Sequence, residues 1–173
     1  VTGLKAATRA LEHQSDTVTA LTAKAVAESV VYYDFEGAEE LALRVYELGI
    51  DLGYWSFVYS FNLLYPLGRY QEATELLEVA IEKDPLATAP LAALMVGYRL
   101  QGRMEDAERI ADQLVATESP AFWFIHISMT YVALGRLQDA EISLDTLEQS
   151  VGKNAAPIQI SRVLLHSARG DKA

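Results

Sequence analysis

Apolar residues recur along this chain at intervals of three and four, the spacing that places them on one stripe of an α-helix, and Gly, Pro or capping residues cut the stripes at regular distances. Residues 3–12 open the series, with Leu4, Ala7 and Leu11 on one stripe. His13-Gln14-Ser15-Asp16 interrupts it, and Ser15 or Asp16 is the expected N-cap of an alanine-rich helix running to about residue 33. A partner helix follows the turn Asp34-Phe35-Glu36-Gly37-Ala38 and ends near Leu48-Gly49, where Gly49 can take the left-handed conformation that closes a helix. Residues 54–67 begin the next pair and are the most aromatic stretch, with Tyr54, Trp55, Phe57, Tyr59, Phe61 and Tyr65. Pro66 lacks an N–H, so the carbonyl of Asn62 is expected to lose its helical partner. Residues 72–83 complete the pair and Asp84-Pro85 ends it, since the residue before proline is pushed out of the helical region. Pro90 falls near the first turn of the following helix, where a missing N–H costs little, and further helices are expected at about 90–101, 104–117, 121–134, 137–150 and 156–169.

The pattern repeats in residue type as well as in period. Leu67-Gly68-Arg69-Tyr70-Gln71-Glu72-Ala73 is followed by Leu100-Gln101-Gly102-Arg103-Met104-Glu105-Asp106-Ala107 and by Leu134-Gly135-Arg136-Leu137-Gln138-Asp139-Ala140. The glycines are 34 and 33 residues apart, and so are the alanines. Helical self-similarity at that period marks a solenoid of helix pairs, in which no single repeat buries its own apolar face. The chain therefore reads as one all-α array over residues 1–173, with a partial repeat at 1–16, repeats at 17–53, 54–87, 88–119 and 120–153, and a terminal helix at 154–173. Residues 3–12 read as the second helix of a repeat whose first helix is absent, so the array is expected to be part of a longer protein.

Composition narrows the function classes. Of 173 residues 51% are apolar, ample for a core, while a net charge of −10 opposes nonspecific attraction to phosphate backbones or anionic lipid. No direct nucleic-acid binding and no membrane contact is expected of this region. The absence of cysteine excludes disulfides, zinc thiolate sites and thiol catalysis. No apolar run approaches the ~20 residues that span a bilayer, and the first residues lack a signal peptide's charged-then-apolar order.

The repeats resemble tetratricopeptide repeats (TPRs). Residues 54–87 supply Phe57, Gly68, Tyr70, Ala73, Leu77, Ala80 and the closing Asp84-Pro85 of that pattern. The next repeat has Leu91, Tyr98, Gly102 and Ala107, with Ser119-Pro120 instead of the closing proline, and the third has Phe124, Tyr131, Gly135, Ala140 and Leu144. The segment Asp34 to Ala38 fits the same scheme with Tyr33 in place of the turn glycine. The family usually has Gly or Ala in the middle of the first helix, whereas Phe61, Met95 and Ser128 stand there. The resemblance implies a right-handed α-solenoid of antiparallel helix pairs, with a concave face built from the first helices. On that geometry the groove stripe is Trp55, Val58, Asn62 and Tyr65, then Ala89, Ala92, Val96 and Arg99, then Phe122, Ile125 and Met129. The family's Lys, Asn and Arg clamp for a C-terminal carboxylate is not present at these positions. More finely, Tyr32 to Glu39 and Leu64 to Ala73 are similar to the repeat region of bacterial winged-helix transcriptional regulators and adenylate-cyclase-like signalling proteins.

Catalytic chemistry finds no support. His13, His126 and His166 lie in different repeats, with no paired histidines at helical spacing, no phosphate-binding glycine loop and no nucleophile motif. The acidic runs at 36–40, 72–78 and 105–108 stand at the starts of second helices, where they complement the helix dipole rather than collect a metal. Phe57, Phe61 and Tyr70 are expected in the core, and Trp123 and Phe124 are not expected to face inward together. The expectation is a noncatalytic interaction module without cofactor or metal, taking an apolar or amphipathic segment of a protein or peptide in its groove. Trp55, Val58, Asn62, Tyr65, Val96, Arg99, Phe122, Ile125 and Met129 are the contact residues, in the sensory or assembly region of a bacterial regulator. A small apolar ligand, or a second copy of the chain in a homodimer, are the alternative occupants. The expected compartment is the cytoplasm, or the periplasm if the parent chain carries a transmembrane helix ahead of this region.

Overall fold

The computed structural model describes residues 17–48, 51–117, 119–152 and 155–170; the expected helix at 3–12, the caps Ser15 and Asp16, and Gly49 lie outside them. Among the described residues every regular element is helical. Helix α1 (Val18–Ala27) runs into a π-helical segment (Glu28–Tyr32) and packs on α2 (Phe35–Glu47). Helix α3 (Leu52–Tyr59) runs into a second π segment (Ser60–Leu64) and packs on α4 (Tyr70–Lys83). Then come α5 (Thr88–Leu100), α6 (Met104–Ala116), a 3-10 turn (Ala121–Trp123) leading into α7 (Phe124–Ala133), α8 (Leu137–Val151) and α9 (Ala156–Arg169). The chain divides into two compact units, one ending at Ala93 and the other starting at Leu94, so the division falls inside α5.

Three turns between helices are built alike. Gly68, Gly102 and Gly135 have φ of +73°, +74° and +74°, and the N–H of the following arginine reaches back to the carbonyl of Leu64, Tyr98 and Tyr131, each at 2.9 Å. This is the left-handed helix stop in which two backbone donors close the last turn. Tyr33 occupies the corresponding place in the first pair with φ of 57°, the one non-glycine residue with positive φ among the described residues.

Five residues after each of these glycines stands an alanine. Ala73, Ala107 and Ala140 are fully buried, and so are Leu64 and Leu77 in the first unit and Met95, Ile110, Leu114, Ile127 and Leu144 in the second. The first unit departs from the expected register. Ser60, not Phe61, is the small residue at the helix crossing: it is fully buried with its Oγ 3.5 Å from the Ala73 carbonyl, while Phe61 is half-buried. The π segment supplies the reason, since Tyr65 N–H bonds to Ser60 O, five residues back, and the wider turn holds one residue more than an α-helical turn. A second correction concerns Trp123 and Phe124, which are both buried. The 3-10 turn before α7 changes the angular step between residues, and α8 covers the turn from the side.

Arg69 and Arg136 tie their turns to the preceding second helices. Arg69 bonds Glu72 at 2.6 Å and Glu39 at 2.7 Å; Arg136 bonds Asp139 at 2.8 Å and both Glu108 and Asp112 at 2.9 Å. Arg103 pairs with Asp106 at 2.8 Å and lies over the Tyr98 ring, as Arg136 lies over Tyr131. Partly exposed pairs of this kind stabilise by under about 1 kcal/mol each. Their effect is chiefly to fix orientation.

Candidate functional site

In the first unit the expected groove residues are largely spent on internal packing. Trp55 is only 6% exposed, stacks on Tyr59 with the Tyr46 ring tilted against it, and donates its indole N–H to the Ala42 carbonyl at 2.8 Å. Tyr65 is buried with its hydroxyl donating to the Ala93 carbonyl at 2.6 Å. Val58 and Asn62 are half-buried, and the Asn62 amide turns back to donate to the Val58 carbonyl at 2.9 Å. Around Pro66, Tyr65 N–H reaches Ser60 O and Leu67 N–H reaches Leu63 O; neither ends on the Asn62 carbonyl.

The second unit holds a cleft. Arg99 near the end of α5, Ser128, Met129, Val132 and Ala133 on α7, and Ser161, Leu164, Ser167 and Ala168 on α9 enclose about 280 Å³. Two of the expected contact residues, Arg99 and Met129, meet there. The periodicity that puts Ile127 and Tyr131 into the core leaves Met129 and Val132 on the other side of α7, both half-buried. Along α9, Ile158 and Leu165 anchor the buried stripe, and Ser161 occupies that same stripe between them. Val96 is buried, Ile125 is half-buried, and Phe122 is 60% exposed, its ring edge-on to Trp123 at 5.0 Å and near His126.

The polar groups of the cleft carry its chemistry. Arg99 Nε and Ser161 Oγ are buried without a hydrogen-bond partner among the described residues. Ser128, by contrast, donates its hydroxyl to the Ile125 carbonyl at 2.8 Å. Burial pushes the Arg99 guanidinium down from its ordinary pKa, and no acidic neighbour among the described residues acts against it. Burial first, and the Arg99 charge second, push the His126 imidazole down to about 4, so it is neutral at physiological pH. His166 lies on the exposed side of α9. Among the described residues no group of three or more His, Asp or Glu side chains is placed to hold a metal ion. Nor is any described helix long and apolar enough to cross a membrane.

Sequence reasoning reaches Arg99 and Met129 but not Ser161 or Leu164, and it reads Ser128 only as a mid-helix residue. The available signal is Ser161 itself, a polar residue three after Ile158 and four before Leu165 on a buried stripe.

No family model and no curated protein matches the chain. Solved structures do. The type IV pilus biogenesis factor PilW superposes with a TM-score of 0.74 at 18% identity, over 95% of this chain and 76% of that one. The TPR protein TTC0263 of Thermus thermophilus gives 0.78 at 19% identity over 96% of this chain and 88% of its own. Pseudomonas aeruginosa pilF gives 0.66 at 17% identity over 95% and 74%. At such identities the likeness carries the fold, and the fold is an α-solenoid of helix pairs of the tetratricopeptide type.

Proposed function

We propose that this chain is a noncatalytic protein-binding module that takes an amphipathic segment of a partner in the α5–α7–α9 cleft. The observation that carries the reading is the cleft's lining: Met129, Val132, Ala133, Leu164 and Ala168 form apolar walls, with Arg99 and Ser161 set among them. An apolar concavity with few convergent polar groups is the general form of a recognition site, and neighbouring first helices of a solenoid present such surfaces to a helical segment. Phe122 in the 3-10 turn and Ile125 on α7 extend the contact, while Trp55 and Tyr65 support the first unit from within. The similarity to PilW, described as a type IV pilus biogenesis factor, supports an assembly role for a TPR module of this kind. The regulatory attachment rests instead on the resemblance carried by Tyr32 to Glu39 and Leu64 to Ala73.

Titration calorimetry with a capped amphipathic helical peptide, leucines on one face and lysines on the other, tests the reading. Met129→Lys and Leu164→Lys, both at incompletely buried positions, are expected to weaken binding at least about tenfold with unchanged helical content, the cost of placing a charge in an apolar contact. Unchanged affinity in both variants would move the site elsewhere.

A further inference from the structure

Among the described residues most arginines of this chain sit against carboxylates. Arg69, Arg103, Arg109, Arg136, Arg162 and Arg169 each have an Asp or Glu oxygen within 3.3 Å, and Arg44 interacts with a neighbour as well. With 24 acidic residues against 14 basic ones, an acid is the easiest partner for this sequence to supply. Arg99 is more buried than these and meets no carboxylate among the described residues. A desolvated guanidinium without an anion is a costly arrangement, and its planar fork of donors suits a carboxylate. Ser161 repeats the anomaly on α9. It is 2% exposed, its Oγ has no partner among the described residues, and it lines the same cleft. His126 supplies no competing charge because its imidazole is neutral at physiological pH.

We propose that Arg99 and Ser161 are the specificity-determining pair of this cleft and receive the side-chain carboxylate of one Asp or Glu lying among the apolar residues of a helical partner segment. This deepens the protein-binding reading above and rests on it. The guanidinium and the serine hydroxyl donate, and the carboxylate accepts. A side-chain carboxylate, rather than a chain terminus, suits the lining, because it arrives on a methylene stem that can pass Met129, Val132 and Leu164. A terminal carboxylate brings its own backbone N–H into contact with methyl groups and with Ser128, whose hydroxyl already donates to Ile125. The net charge of −10 adds a second requirement. Long-range repulsion disfavours a generally acidic partner, so the single acid is flanked by neutral apolar residues, with lysine or arginine on the segment's outer face.

Three acetylated helical peptides test this by fluorescence anisotropy at physiological salt: one with Glu between its leucines and an amidated end, one with Gln there and an amidated end, and the Gln peptide with a free C-terminal carboxylate. The Glu peptide is expected to bind roughly tenfold or more tightly than the amidated Gln peptide, the scale of a charge-assisted pair out of water. Arg99→Met should remove that preference, and Ser161→Ala should reduce it. The comparison between peptides on the unaltered protein stands even if a variant fails to fold. Equal binding of the Glu and Gln peptides would overturn the carboxylate assignment and leave the protein-binding reading intact. A preference that survives in Arg99→Met, or a free-acid Gln peptide as tight as the Glu peptide, would overturn the assignment too. Failure of every peptide to bind would overturn both.

Discussion

Tyr33 and His126 each carry a cost that the rest of the chain must offset, and both costs are measurable. Tyr33 adopts the left-handed conformation with 73% of its surface exposed, where the equivalent turns use glycine. A side chain in that region costs about 1–2 kcal/mol. Tyr33→Gly is therefore expected to raise thermal stability, by less than that amount because the ring contact with Phe35 at 6.4 Å is lost and the unfolded chain gains freedom. Gly68→Ala should lower stability by about 1 kcal/mol through backbone strain alone, since a Cβ there meets nothing within 4 Å. Calorimetric melts of the two variants check both signs. His126 carries a cost of another kind. Its pKa falls from about 6.5 unfolded to about 4 folded, so the unfolded state takes up the proton first. Stability is complete above about pH 6.5 and declines as pH falls toward 4, by on the order of 3 kcal/mol. Denaturant melts should show a smaller decline between pH 7 and 4.5 in His126→Phe than in the parent.

At the scale of elements, the helix pairs follow from the repeated spacing of apolar residues, and their boundaries follow from Gly, Pro and Asp. The helices expected at 104–117 and 137–150 match Met104–Ala116 and Leu137–Val151 closely because those stops are chemical. The π segments leave no comparable mark. A π turn shifts register by one residue without changing composition, and periodicity alone assigns Phe61 the crossing that Ser60 occupies. Trp55, one turn earlier on the same helix, lies in the core, whereas the stripe rule places it in a groove. Substitution separates the registers. Ser60→Leu should destabilise by about 1–3 kcal/mol through overpacking, as should Ala107→Leu, while Phe61→Leu should cost less than either. Equal losses from Ser60→Leu and Phe61→Leu in equilibrium unfolding would remove the π-turn register.

For the molecule as a whole, the repeat period makes the solenoid legible, because it records the fold directly in residue identity. The cleft is half legible. Arg99 and Met129 fall on a stripe that first-helix geometry selects, but Ser161 lies in the terminal helix, and only packing against α8 and α7 shows which face of α9 is turned inward. A binding surface in such a fold is a property of neighbouring first helices, whereas sequence periodicity describes one helix at a time. The proposed place of recognition is the α5–α7–α9 cleft. Backbone amide chemical shifts recorded while the capped Glu peptide is titrated into the protein test it most directly. The shifted amides are expected to cluster at Arg99, residues 128–133 and residues 161–168. Shifts gathered on another surface, with these amides unmoved at saturation, would contradict it.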